Sequence, residues 1–193
     1  MFKLSKIAYA MSFVGAVALS GAAQANIVTN GGFETGNFTG WTQFDNTGFT
    51  GVGGGGAVRT GAFGAFFGPI GSTGGIFQTL STVAGVTYDV SFWIDPDGGT
   101  PSSVSFNWDG GVDELSLSNM PAGPYALHTF ALTATSAATD LRFRFQNDPG
   151  FTFMDDVSVV ARAANSVPEP GSMALVGMAL AGLGALSLRK LAR

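Results

Sequence analysis

The sequence predicts an all-β protein, one antiparallel β-sandwich set between an N-terminal signal helix and a C-terminal transmembrane helix. Three observations predict it. Between the two hydrophobic ends, apolar residues alternate with polar ones at a period of two; the alternating segments are short; and clusters of Gly, Pro, Asp and Asn separate them. Many short strands, each with one wet face, need two packed antiparallel sheets to bury the other face.

The chain of 193 residues opens on Lys3 and Lys6, an apolar stretch over 7–19, and the small-x-small site Ala23-Gln24-Ala25. These are the parts of an export signal, so residues 1–25 read as a removable signal peptide and the mature chain starts at Asn26. Residues 26–163 then have the length of a single domain with a single core. The glycines of 51–56, interrupted by Val52, read as a flexible loop. A phosphate cradle does not fit there, because no Lys-Ser/Thr follows and no helix opens. Strands are expected at 62–67 and 76–82.

In 86–94 the set Val86, Tyr88, Val90, Phe92 and Ile94 faces inward, against Thr87, Asp89, Ser91 and Trp93 outward. In 103–108 Val104, Phe106 and Trp108 face inward. In 141–146 Leu141, Phe143 and Phe145 face inward, and Arg142, Arg144 and Gln146 outward. Further strands fall at 113–118, 125–133 and 152–160, with Trp41 and Trp108 in the core. The turns lie at 95–99, 109–111, 121–124 and 147–150. After a linker at 164–172 come an apolar run over 173–188 and the basic residues Arg189, Lys190 and Arg193. Residues 173–193 therefore read as a membrane-spanning helix whose basic end stays in the cytoplasm.

Four arginines and no lysine face twelve Asp and Glu in the middle segment. So acidic a surface repels phosphate backbones, which argues against nucleic acid as a partner, and favours a divalent cation. Cysteine is absent, so no disulfide supports the fold.

Two constellations stand out. Glu34, just after the mature start, and Asp155 and Asp156, in the last strand, meet if the first and last strands are neighbours. Alternation with Phe153, Val157 and Val159 places Asp155 on the inward face. Two readings are open. Either the three carboxylates hold a hard cation such as calcium, or Glu34 and Asp156 are solvated while Asp155 accepts backbone hydrogen bonds or pairs with an arginine. The second constellation is Trp93, on the polar face of its strand. It is either a platform for a sugar ring, helped by Arg142, Arg144, Gln146, Asn107 and the loop residues Asp95 and Asp97, or the cover of a neighbouring strand or loop.

Catalysis finds little support. The acidic pairs Asp95/Asp97, Asp113/Glu114 and Asp155/Asp156 lie in turns or within single strands, where they do not face each other across a cleft. His128 stands alone for a triad or a zinc site, and reads as a partly buried strand residue.

The tail Val167-Pro168-Glu169-Pro170-Gly171-Ser172, its apolar run and Arg189-Lys190 resemble the PEP-CTERM sorting signals of Gram-negative bacteria. That resemblance implies recognition near Pro168, Glu169 and Pro170 by an exosortase, a processing enzyme associated with exopolysaccharide production. It also implies inner-membrane anchoring through the C-terminal helix, then a place on the cell surface or in the biofilm matrix.

The middle, from Asn30-Gly31-Gly32-Phe33-Glu34 to Asp155-Asp156-Val157-Ser158-Val159, resembles jelly-roll modules of the galactose-binding-like and carbohydrate-binding type. This implies a structural calcium at Glu34 with Asp155 or Asp156, and a non-catalytic module that contacts extracellular polysaccharide. The alternative is a purely structural surface protein that packs against other proteins.

Overall fold

In the computed structural model, which describes residues 24–163 and Gly177, ten strands form two five-stranded antiparallel sheets. The strands are β1 Thr42–Asp45, β2 Thr50–Gly53, β3 Gly64–Phe67, β4 Gly74–Ser81, β5 Thr87–Pro96, β6 Ser102–Trp108, β7 Asp113–Ser118, β8 Ala126–Thr133, β9 Ala138–Asn147 and β10 Thr152–Ala161. The first sheet has the order β1-β4-β9-β6-β7 and the second β2-β3-β10-β5-β8. The signal helix, the linker with its Pro-Glu-Pro motif and the C-terminal helix expected from the sequence lie outside the described residues.

Alternation builds the core. The inward set of β9, Leu141, Phe143 and Phe145, meets Phe67 and Phe92 of the opposite sheet, and all five are fully buried. Phe67 stacks on Phe145 at 3.9 Å between ring centroids, and Phe92 meets Phe143 edge-on at 4.9 Å. Aromatic pairs favour these offset and edge-to-face contacts beyond their buried area. Trp41 and Trp108 lie in this core as expected, and so does the inward set of β5 from Tyr88 to Ile94.

Three local expectations are corrected. The 51–56 segment is not simply a loop: Thr50–Gly53 is an edge strand paired with β3, followed by a short 3-10 turn over Gly55–Ala57. Glycine at 51 suits this pairing, because a Cβ there would stand 2.5 Å from Cζ of Phe66. Asp95, expected in a turn, lies in β5, which continues to Pro96.

The third correction concerns β10. Its register against β5 shifts between Asp155 and Ser158, and Asp156 has a left-handed backbone with φ 51°. Such a bulge inverts the alternation. Before it Thr152 and Met154 point inward and Phe153 outward; after it Val157 and Val159 point inward. Asp155 is thus a partner of the outward Trp93 and does not share the inward face of Val157 and Val159. It is nevertheless fully buried, because the loop between β2 and β3 covers it.

The two ends of the module meet. Asn26 bridges Val160, the Ile27 amide donates to Val159 O at 2.9 Å, and the Val157 amide donates to Gly31 O at 2.9 Å.

Candidate functional site

Two outer faces carry the residues singled out in the sequence, and they lie on opposite sides of the sandwich. Trp93, Asp155 and Asp156 belong to the second sheet, Arg142 and Arg144 to the first. One saccharide ring cannot engage Trp93 and the two arginines together, which corrects the grouping expected from alternation. Period-two patterning assigns a residue to the inside or the outside, but not to one sheet or the other.

On the second sheet the loop between β2 and β3 folds over the carboxylates. Asp155 Oδ2 accepts the amides of Arg59 at 2.9 Å and Thr60 at 3.1 Å, and its Oδ1 accepts the amide of Asp156 at 2.7 Å. Burial pushes the Asp155 carboxyl above the usual carboxylate range, and these three donors pull it back. The Arg59 guanidinium pairs with Asp156 and lies over the Trp93 indole, 3.5 Å from the ring centroid. Thr60 Oγ1 donates to the same carboxylate at 2.7 Å. Trp93 therefore has one ring face covered by a cation from the neighbouring loop.

Glu34 accepts the amides of Ala62 at 3.0 Å and Phe63 at 3.2 Å. The three acids border one glycine: a Cβ on Gly32 would lie 3.6 Å from Asp156 Oδ1, 3.8 Å from Asp155 Oδ1 and 3.8 Å from Glu34 Cγ. The oxygen chemistry suits a hard cation, but the carboxylates are turned to N–H and O–H donors and a guanidinium. Among the described residues no group of three or more His, Cys, Asp or Glu side chains is placed to hold a metal ion.

On the first sheet β9 presents Arg142 and Arg144 as successive outward residues. Arg142 lies opposite Phe77 of β4 and Asn107 of β6; Arg144 lies opposite Gly75 and Ser105. The edge strand β1 adds Phe44, opposite Gly75. The Arg142 guanidinium is 4.8 Å from the ring centroids of both Phe44 and Phe77, and that of Arg144 is 4.7 Å from Phe44. The two rings meet edge-on at 6.0 Å. Asp45 takes Nη1 of Arg144 at 2.7 Å, and Asp140 lies 3.6 Å from Nη2 of Arg142 while accepting the Thr79 hydroxyl at 2.6 Å.

Beside the arginines a depression of about 360 Å³ opens towards Asn107, Gly110, Gly111 and Asp113. Asn107 shapes its wall: its Nδ2 donates to Gly111 O at 2.7 Å and Val112 O at 2.9 Å, and its Oδ1 accepts the Gly110 amide at 2.8 Å. Forked donors, two phenyl rings and carboxylate acceptors on rigid strands make a polar surface with an apolar flank. The sequence reading missed Phe44, Phe77, Asp45 and Asp140. The one available signal was the aromatic character of Phe44, between the polar Gln43 and Asp45, and of Phe77, which alternates out of phase with the inward Ile76.

Residues 166–190 match the PEP-CTERM protein-sorting motif, so the chain carries that motif at its C-terminal end, as its tail predicted. No curated protein sequence matches the chain. Solved structures do. A structure of TmCBM61 in complex with β-1,4-galactotriose is 18% identical, covers 72% of this chain and 99% of its own, and superposes with a TM-score of 0.62. The CBM22-1 xylan-binding domain of Paenibacillus barcinonensis Xyn10C is 16% identical over 74% of this chain and 100% of its own, with a TM-score of 0.51. The enzymatically active domain of tailspike protein 4 from bacteriophage CBA120 is 17% identical over 71% of this chain but only 21% of its own, with a TM-score of 0.51. At such identities the likeness is one of fold: this sandwich has the jelly-roll architecture of carbohydrate-binding modules.

Proposed function

We propose that this chain is an exported surface protein whose sandwich binds polysaccharide, without turning it over, through the outer face of the first sheet. The observation that carries the reading is the row formed by Arg142, Arg144, Phe44 and Phe77 beside the depression at Asn107. Guanidinium donors and the Asp45 and Asp140 acceptors match sugar hydroxyls, and the rings match the C–H face of a pyranose. The fold neighbours support the ligand class, since one is described with β-1,4-galactotriose and another as xylan-binding. The sorting motif supports the address: processing by an exosortase-type enzyme releases or transfers the module outside the inner membrane.

The test is affinity electrophoresis of the chain through gels containing galactan, xylan or the host's own exopolysaccharide. Retention by at least one is expected, with about tenfold weaker binding for Arg144→Ala or Phe77→Ala at unchanged melting temperature, a loss of about 1.4 kcal/mol. Absence of retention by all of them overturns the reading in favour of a purely structural surface protein.

Calcium at Glu34, Asp155 and Asp156 is a separate proposal. It is supported by the Asp155 and Asp156 carboxylates bordering Gly32, with the Glu34 side chain beside the same glycine, against the single guanidinium of Arg59. An ion there exchanges hydrogen bonds for metal–oxygen bonds and stabilises the native state by mass action. The expected result is a higher melting temperature in calcium than in chelator; equal values would mean that Arg59 and the loop amides hold the carboxylates alone.

A further inference from the structure

We propose a second saccharide site on the outer face of the second sheet, built around Phe66, Phe151, Phe153 and Asp95, that takes an uncharged pyranose chain. A depression of about 350 Å³ lies there, lined by Gly53, Gly54, Gly56, Phe66, Phe151 and Phe153. Its three phenyl rings are half-buried and contiguous. Phe66 meets Phe151 edge-on at 5.6 Å, and Phe151 stacks beside Phe153 at 6.3 Å.

The register explains why the rings gather. Phe153 lies opposite Phe66 on one side and Asp95 on the other, so all three are neighbours on one face. The edge strand contributes glycines at 51 and 53, so no β2 side chain covers Phe66 at those positions. The chain thus keeps rings half-exposed where a sandwich ordinarily presents polar residues.

Asp95 supplies the polar half. Its carboxylate is half-buried, accepts no hydrogen bond and joins no ion pair among the described residues. Burial and the neighbouring Asp97 raise its pKa. By contrast Asp97 is satisfied by the Gly99 and Phe151 amides and by Asn147 Nδ2.

Charge selects the occupant. No Lys, Arg or His lines the depression, and the nearby Arg59 is engaged by Asp156 and Trp93. Uronates, phosphates and acidic peptides are repelled by Asp95 and Asp97. A neutral pyranose donates a hydroxyl to Asp95 and lays its C–H face on the phenyl rings. Because the core separates this face from the arginine face, one module grips two glycan chains and gains avidity on a polymer. The site goes beyond the reading of the first sheet, although it shares with it the premise of a glycan-rich surrounding.

Equilibrium dialysis of the full chain against β-1,4-galactotriose and, in parallel, a soluble xylan fragment counts the sites. Two equivalents are expected for the natural chain, one for Phe153→Ala, one for Asp95→Asn and one for Arg144→Ala. Asp95→Asn preserves shape, so its result stands if Phe153→Ala fails to fold. One equivalent that survives Asp95→Asn and vanishes in Arg144→Ala overturns the second site and leaves the first. One equivalent that survives Arg144→Ala and vanishes in Asp95→Asn upholds the second and overturns the first. No bound equivalent of either sugar overturns both.

Discussion

Asp155 is buried on the outer side of its sheet, an unusual place for a fully covered carboxylate, and three backbone amides with the nearby Arg59 make it tolerable. Its removal leaves those donors without a partner. Asp155→Ala should therefore cost about 2–4 kcal/mol, read as a lower denaturant midpoint at unchanged slope. Trp93 belongs to the same network through the guanidinium of Arg59. Trp93→Ala should lower the melting temperature, with a loss of about 1–3 kcal/mol, and leave retention on polysaccharide gels untouched. Loss of retention without loss of stability would return Trp93 to the role of sugar platform. The covering Arg59 stands far away in sequence, on a glycine-rich segment with no signal of its own, so the pairing was not legible before the loop's path was known.

At the scale of elements, strands obeyed their pattern wherever both faces were plainly different. β5, β6 and β9 present the inward sets read from alternation, because each packs apolar rings on one side and meets water on the other. β10 departed from its pattern at the bulge, where Asp156 takes a left-handed conformation that alternation cannot encode. The short strands β1 and β2 were missed because four residues, two of them glycine in β2, carry almost no periodicity.

Edge strand β8 makes a prediction of its own. His128 points back towards the core, stacks on Phe92 at 5.5 Å, and is held below the ordinary histidine pKa by burial. The unfolded chain then binds the proton more readily than the folded one. Stability from this group is complete above about pH 6.5 and falls as the pH drops from there towards the lowered folded value. Chemical denaturation of His128→Gln across that window should show a flatter dependence on pH than the natural chain. Equal slopes would assign the acid sensitivity to other groups.

For the whole molecule, closure of the two ends decides the layout. Asn26 joins Val160, so the N-terminal end of the described module and the strand that leads towards the sorting motif lie side by side. Both outer faces stand to either side of that point, one with guanidinium groups and phenyl rings, the other with phenyl rings and an unpaired carboxylate. From the sequence alone came the β class, the strand count to within two, the aromatic core, the acidic surface and the sorting tail. These depend on composition, on period-two alternation and on motifs contiguous in the chain, all of which are local. Tertiary structure alone decided that Trp93 and Arg142 lie back to back, that Arg59 closes over Asp155, and that Phe44 and Phe77 flank the arginines. Those facts depend on which strands pair and where a bulge inverts the phase, and they join residues far apart in the chain, as Arg144 and Asp45 show, 99 positions from each other.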